Sequence, residues 1–418
     1  MSRSFAALAT LAGLLVVPAA LAAQQPAQAL AAQQPAAPAP SATIFEVPNE
    51  SVQYLDPSIE AAGMGGASSA VFWEDDPNDH QNPALVGFHH GLRYSFGTTQ
   101  LYKGVVDNVE LRTHRVLAGA WGIGVAMSGK PESVGRVRLS YPEQMFTDGL
   151  GNPIGSFAPH QDLRSIAAGV SVLDLASSLL ELMGGAPLTV QPKVSLAVGH
   201  AWKEVAINMA PAEAAPGTQI GKGENRDAGA VLRVALLDQI GRDLYEPRKR
   251  LQYRLELAGA YTSLNYDDEA VITYGNGATG PLPDIRQYGA SARLTMAFAP
   301  NDGAKWYRDW AAPALFFGVA FDHADVHDAG AGNLDYATRI GSELSVCDVL
   351  FLRLGHVEDN LRGVEGTTYG AGLSLKYRNA IGVRGDWAHY PVQDILDEPW
   401  NRYGVSLFID PFHLKHED

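Results

Sequence analysis

Ten charged residues sit at positions that alternate with apolar ones: Arg93, Arg233, Arg254, Glu256, Arg293, Arg339, Glu343, Arg353, Arg384 and Asp386. Residues two apart in an extended chain point the same way. Arg254 can therefore neighbour Glu256, Arg384 can neighbour Asp386, and Arg339 can neighbour Glu343 four residues on. Such groups can act as a lattice of ion pairs that satisfies a polar interior, or as a selectivity element along a solute path. A second group lies in a stretch read as external, Asp322 to Asp328. If extended, it sets His323, Asp325 and His327 on one face, where imidazole and carboxylate could hold a divalent cation. Loops rich in Asp and His are more often simply solvated. No His-Glu-x-x-His, Gly-x-Ser-x-Gly or phosphate-binding Gly-Lys loop occurs. We therefore expect no enzyme and no cofactor.

The elements that must position these charges show a period of two. In 252–262, Tyr253, Leu255, Leu257, Gly259 and Tyr261 share one face, and Gln252, Arg254, Glu256, Ala258 and Thr262 share the other. The pattern recurs in 287–298, 368–377, 381–388 and 403–409. Aromatic residues near the ends of an apolar face, opposite a face of Gly, Ser and charge, suit a strand with lipid on one side and a polar lumen on the other. The spacing predicts an all-β chain, a transmembrane antiparallel barrel of about 14 strands. Leu255, Leu257, Leu373, Leu375 and Val383 would face lipid. Tight connections are expected at 118–120, 347–348 and 379. Longer ones are expected at 130–163, 205–225, 265–285 and 391–401. Outer-membrane barrels have short periplasmic turns and long external loops, so both termini would be periplasmic. Residues 133–141 are assigned to an external loop, because a further strand would break the parity. Two connections on the periplasmic side are longer: an amphipathic helix within 174–184, and 301–312, where Trp306, Tyr307 and Trp310 suit a membrane interface.

The chain has 418 residues, one cysteine (Cys347) and a formal net charge of −15. The acidic balance argues against nucleic acid as a partner. Residues 1–22 read as a signal peptide, with Arg3 before the apolar run 5–17 and a small-x-small site at Ala20-Leu21-Ala22. Residues 23–42 form an uncharged Ala/Gln/Pro leader that cannot order itself. Residues 43–90 form an N-terminal plug, 91–410 the barrel and 411–418 a polar tail. Within the plug, Asp56-Pro57 and Asp76-Pro77 look like helix starts. Gly63, Met64, Gly65 and Gly66 form a Gly-rich joint. Phe72, Asn82 and Pro83 lie between it and the first strand.

These residues carry a resemblance. The stretch Ala61-Ala62-Gly63-Met64-Gly65-Gly66-Ala67, the acidic pair Asp75-Asp76 and Asn82-Pro83-Ala84 before the first strand resemble the N-terminal signature of FadL-like barrels, especially the PorV/PorQ group. Residues 343–377 are similar to the last hairpins of that group. This chain departs from the pattern at Gln81, where an aromatic residue is frequent before Asn-Pro, and in its polar C-terminal tail.

Two functions follow as expectations. The FadL resemblance implies an outer-membrane barrel passing hydrophobic small molecules through a plugged lumen. Ile154, Phe157, Val205, Ile207 and Met209 would form a capture surface on external loops, and Met64 and Phe72 would line the way on. The PorV resemblance implies a non-enzymatic partner in a type IX-like pathway that binds exported proteins. An apolar pocket below the plug favours the first, and charges across the lumen with an apolar rim of loops favour the second. Outer-membrane lipid is a partner in either case.

Overall fold

A computed structural model describes residues 52 and 55–410, except 74–75, 102–108, 129–136, 148–149, 151, 185–192, 211–219, 239–250, 267–270, 276, 278, 283, 299–313, 329–331, 361–362, 378–379 and 392–398. The stretches read as signal peptide, leader and polar tail, and the aromatic run 306–310, lie outside the described residues. The described residues belong to one compact unit, Glu46–Asp418.

A short helix, α1 (Ile59–Gly63), and a 3-10 helix (Pro83–Phe88) precede the strands. The strands are β1 (Gly91–Leu101), β2 (Val109–Ala120), β3 in two pieces (Ile123–Ser128 and Val137–Ser140) and β4 (His160–Ser171). After helix α2 (Val172–Leu182) come β5 (Lys193–Asn208), β6 (Ile220–Asp238), β7 (Leu251–Leu264 with Val271–Tyr274) and β8 (Thr279–Pro281 with Asp284–Phe298). The series ends with β9 (Ala314–Asp328), β10 (Gly332–Val346), β11 (Leu350–Asp359), β12 (Val364–Tyr377), β13 (Ile381–Tyr390) and β14 (Trp400–Ile409). Each strand pairs antiparallel with its neighbours, and β1 pairs with β14 from Leu92↔Ile409 to Thr99↔Arg402. The result is a closed barrel of 14 strands, in which closure leaves no unpaired edge. We call the end where β1 begins and β14 ends proximal, and the other end distal.

The period-two expectation holds, and several boundaries move. Val137–Ser140, expected in a loop, continues β3 and pairs with both β2 and β4. Residues 205–208 and 220–225 belong to β5 and β6 and pair in register, Val205↔Gly223 and Ile207↔Gly221. Residues 205–208 are therefore strand and not apolar loop. Val205 and Ile207 are buried inside the barrel, so the capture surface expected of them is absent there. The Ile154 side chain lies outside the described residues. The turn expected at 118–120 falls at Trp121-Gly122, where positive φ values of 55° and 78° suit a tight hairpin turn. His323, Asp325 and His327 sit on strand β9, on its outer face, rather than in a loop.

Outside the barrel, apolar residues occupy the proximal and middle part of each strand. Leu257, Leu373, Leu375 and Val383 are exposed there. Trp202, Tyr261, Tyr288, Phe321, Tyr369 and Tyr403 are exposed where that band ends on the distal side. Beyond them the outward positions turn ionic, as at Arg112 with Glu110 (2.6 Å) and Arg138 with Asp162 (2.6 Å).

Candidate functional site

The inward faces of the distal half build an apolar chamber. Leu101, Val109, Leu111, Val137, Leu139 and Leu163 contribute from β1 to β4, and Val205 and Ile207 from β5. Ile272, Tyr274, Leu282, Val357, Val364, Tyr390 and Trp400 complete it from the later strands. Ile285, Ala324, Val326 and Tyr336 extend it along β8 to β10. Most strands supply only one or two side chains at their distal ends, so the chamber exists only once the barrel closes. Its polar members include Arg402, whose guanidinium donates to Thr99 Oγ1 (3.1 Å) and to the carbonyl oxygens of Asp56 and Ser58.

The proximal half differs. All ten charged residues singled out from the sequence lie on the inward face of their strands. Their partners are chosen by register across strands more than by spacing along one. Arg353 Nε meets Glu343 Oε2 at 2.6 Å and its Nη1 meets Asp386 Oδ1 at 2.9 Å. Arg384 does pair with Asp386 two residues away, at 3.0 Å. Arg254 and Glu256 do not pair with each other as expected. Arg254 binds Asp238 at 2.9 Å, and Glu256 faces Arg233 at 3.7 Å, because the adjacent strand β6 brings a closer partner to each. Arg293 lies over the Phe316 ring (4.4 Å), and Arg233 over Phe72 (5.2 Å) and Phe88 (5.4 Å).

Between the halves lies segment 55–90, buried along most of its length. The expected caps are replaced. Ser58, not Asp56, caps α1, accepting from Ala61 N (3.1 Å), and Asn82 caps the 3-10 helix with Pro83 in its first turn. Asp56 instead accepts from Ser58 N, Asn78 Nδ2 and Gln81 Nε2 at 2.8, 2.8 and 3.1 Å, tying the segment to itself. Asp76 accepts from Ser95 Oγ (2.6 Å) and pairs with Arg115 (2.6 Å). Gly65 and Gly66 end α1 with φ values of 71° and 83°, which glycine adopts without a Cβ penalty.

The wall fits the segment by lacking side chains. Gly119, Gly124, Gly169, Gly199 and Gly229 stand opposite one another on β2 to β6. A Cβ on any of them would meet the Asn82–His89 stretch, at 2.4 Å from Ala84 N in the case of Gly199. The row forms a track for the 3-10 helix. Gly341 and Gly355, also paired, receive Met64, and Gly63 lies against Gly370. Thr368 Oγ1 donates to Gly63 O (3.1 Å). Asp322 accepts from Ser68 N (2.7 Å), Ser69 N (2.9 Å) and Gln287 Nε2 (3.0 Å). Sequence reasoning named Gly63, Met64, Gly65, Gly66, Phe72, Asn82 and Pro83; the structure buries all of them but Phe72, which is partly buried beside them. It missed the glycine track, the anchoring Asp322 and the distal chamber.

The segment carries buried titratable groups. Burial pushes the Glu60 carboxyl up to about 8, against the pull of Arg384 (3.1 Å) and Arg353 (3.8 Å). Burial also raises Asp79. For Asp76, burial acts upward but Arg115 and Arg93 outweigh it and hold the carboxyl below its ordinary value. Burial, then Arg93, lowers His89 to about 4.

Two small cavities flank α1. One, of about 40 Å³, lies on the chamber side between Leu55, Ala62, Ile285, Tyr390 and Trp400. The other, of about 50 Å³, lies beside Ile59, Glu60, Ser95, Thr113 and Ser406. At about 10–15 Å³ per water, each admits only a few waters. A larger solute passing beside α1 therefore requires the segment to move. Among the described residues no group of three or more His, Cys, Asp or Glu is placed to hold a metal ion. His323 does meet Asp325 at 3.2 Å, but as a pair.

Three solved structures are similar to this chain at low identity. The Pseudomonas putida toluene transporter TodX is 13% identical, covering 84% of this chain and 97% of that one, with a TM-score of 0.33. The Ralstonia pickettii toluene transporter TbuX is 12% identical over 84% and 98%, at 0.37. A Pseudomonas aeruginosa FadL homologue is 11% identical over 84% and 98%, at 0.32. No family model and no curated protein matches the chain. The functional reading is therefore carried by this chain's own lumen.

Proposed function

We propose that the chain is a bacterial outer-membrane barrel that passes hydrophobic small molecules, without catalysis, from its distal end through a lumen closed by segment 55–90. The observation that carries this is the apolar lining of the distal half of the lumen, where a water-filled pore would carry polar groups. The outer surface supports the membrane placement, since an apolar band ends in exposed aromatic rings before the ionic distal rim. The distal end is then external and the termini periplasmic. A ligand burying about 250 Å² of apolar surface in the chamber would gain about 6 kcal/mol at 25 cal/mol per Å². Val52, Leu55, Ile59 and Ala62 pack into the chamber. A ligand would take their place as the segment yields, so it would enter above the plug and not below it. Uptake of a labelled aromatic hydrocarbon or fatty acid by cells with and without the barrel tests this. A difference is expected, and equal uptake across several such compounds overturns it.

A second reading follows from the PorV/PorQ resemblance, a partner that binds exported proteins. The observation in its favour is the charge lattice across the proximal lumen. Pull-down from detergent-solubilised outer membrane separates the two, by a co-purified protein or a co-purified apolar small molecule.

A further inference from the structure

Helix α2 connects β4 to β5 at the proximal end, and its two faces differ. Asp174 lies on one face, and its Oδ2 accepts from Ser171 Oγ (2.5 Å) and Ser195 Oγ (3.3 Å), at the proximal ends of β4 and β5. The helix backbone also closes on the β2–β3 turn, since a Cβ on Gly122 would meet Leu175 N at 2.6 Å. The polar side is thus tied to the barrel. Val172, Leu179, Leu182 and Met183 recur at helical spacing on the other side, and they are 42, 49, 83 and 74% exposed. Helical residues at such spacing form one stripe. Trp121 sits in the turn that the helix touches and is 63% exposed. Ile123 and Leu196, outward residues near the proximal ends of the neighbouring strands, are exposed as well and belong to the apolar band of the barrel wall.

We propose that α2 and Trp121 form an interfacial anchor, with the apolar stripe immersed at the headgroup–acyl boundary of the proximal leaflet. This rests on the membrane placement proposed above. Continuity decides the occupant: the stripe and the indole extend the apolar band at its proximal end instead of standing apart from it, and indole rings favour that zone. The helix bears Asp174 and Glu181 and no Lys or Arg, so its binding would be apolar and would not require anionic lipid. Such an anchor would hold the β2–β5 side of the barrel at a fixed depth in the bilayer, because the same helix is hydrogen-bonded to the ends of two of these strands.

The full chain with Cys347→Ser removed as a competing thiol is labelled with an environment-sensitive fluorophore at Leu179→Cys, or at Glu181→Cys on the opposite face. It is reconstituted into dioleoylphosphatidylcholine vesicles containing doxyl-labelled lipid. The probe at 179 is expected to shift to the blue and to lose fluorescence to doxyl lipid but not to aqueous iodide, and the probe at 181 to behave in the opposite way. Iodide quenching of both positions overturns the proposal. A probe at 179 shielded from both quenchers also overturns it, since protein would then cover the stripe. Leu182→Cys repeats the measurement should Leu179→Cys fail to fold. Persistence of the folded barrel in vesicles with position 179 in water would refute the anchor alone, whereas failure of the barrel to insert would refute the membrane placement.

Discussion

The two halves of the lumen solve different problems with the same strand geometry. In the proximal half, Arg353 reaches Glu343 and Asp386, and Arg384 reaches Asp386 and Glu60, in contacts of 2.6–3.1 Å. Hydrogen bonds between charged groups are directional, so this half can hold α1 in one position. In the distal half, side chains such as Leu111, Leu163, Val205 and Ile272 have no directional partners. They accept any apolar group of suitable shape, whether Leu55 and Ile59 of the segment or a ligand. The difference teaches that the charged half holds the segment by directed contacts and the apolar half mainly by packing, with Arg402 the polar exception. Substitutions can test whether the division is real.

The largest effect is expected from Arg353→Met. The side chain is buried with Glu343, Asp386 and Glu60 around it. Removing one partner of a buried charge group leaves the others uncompensated, at a cost of about 3–5 kcal/mol. The urea midpoint of the barrel in vesicles should fall accordingly. A loss under about 1 kcal/mol would mean that water reaches the lattice, and the proximal half would no longer be the rigid one.

A smaller effect, about 1–3 kcal/mol, is expected from Gly199→Val, because an overpacked contact forces backbone shifts. The added side chain would meet the backbone of Pro83 and Ala84. The 3-10 helix should lift from its track, and single-channel conductance in planar bilayers should rise. Unchanged conductance would indicate that the track is only a packing surface and does not seal the lumen.

Val205→Asp tests the distal half. A carboxylate in the chamber should raise the cost of seating an apolar ligand by about 1–3 kcal/mol. Uptake of a hydrophobic compound should then fall by about five- to 150-fold, with a smaller loss in the urea midpoint than for Arg353→Met. The outcome would blur the comparison if stability fell as far as in Arg353→Met.

Much of the fold was legible before any coordinates. Period-two alternation is local, so strands such as 364–377 and 381–390 declare themselves residue by residue. The inward face of each strand was legible for the same reason, and all ten lumen charges lie on it. What crosses strands was not. Gly119, Gly124, Gly169, Gly199 and Gly229 are separate glycines in the sequence and become a track only through register. The chamber was hidden for the same reason, and Val205 and Ile207 were read as loop because β5 continues beyond the band of lipid-facing residues. The Arg254–Glu256 pairing failed because Asp238 and Arg233 arrive from the neighbouring strand.

The smallest effect concerns pH, and it acts at the boundary between the halves. Glu60 is the acidic group that α1 inserts among Arg384, Arg353 and Asp386, and burial raises its carboxyl from 4.5 to about 8. A carboxyl raised on folding contributes stability that is fully present below its unfolded value and is lost as pH rises through its folded value. The seating of α1 should therefore weaken as the pH rises from about 4.5 to about 8, as Glu60 ionises beside Asp386. Arg384 at 3.1 Å offsets part of that loss, which keeps the effect modest. His89 runs the other way. Burial lowers it to about 4, so its contribution is present above its ordinary value of 6.5 and is lost as pH falls through 4. The two windows overlap from about pH 4.5 to 6.5, where the groups act in opposite senses, and Glu60 acts alone from about 6.5 to 8. Conductance in planar bilayers should rise as the pH is taken from about 6.5 to about 8, where Glu60 acts alone, and level off above that. Glu60→Gln should flatten that rise and leave any acid-side change in place. An unaltered alkaline rise in the Gln variant would assign the titration to another group and remove Glu60 from the hold that the charged half keeps on the segment.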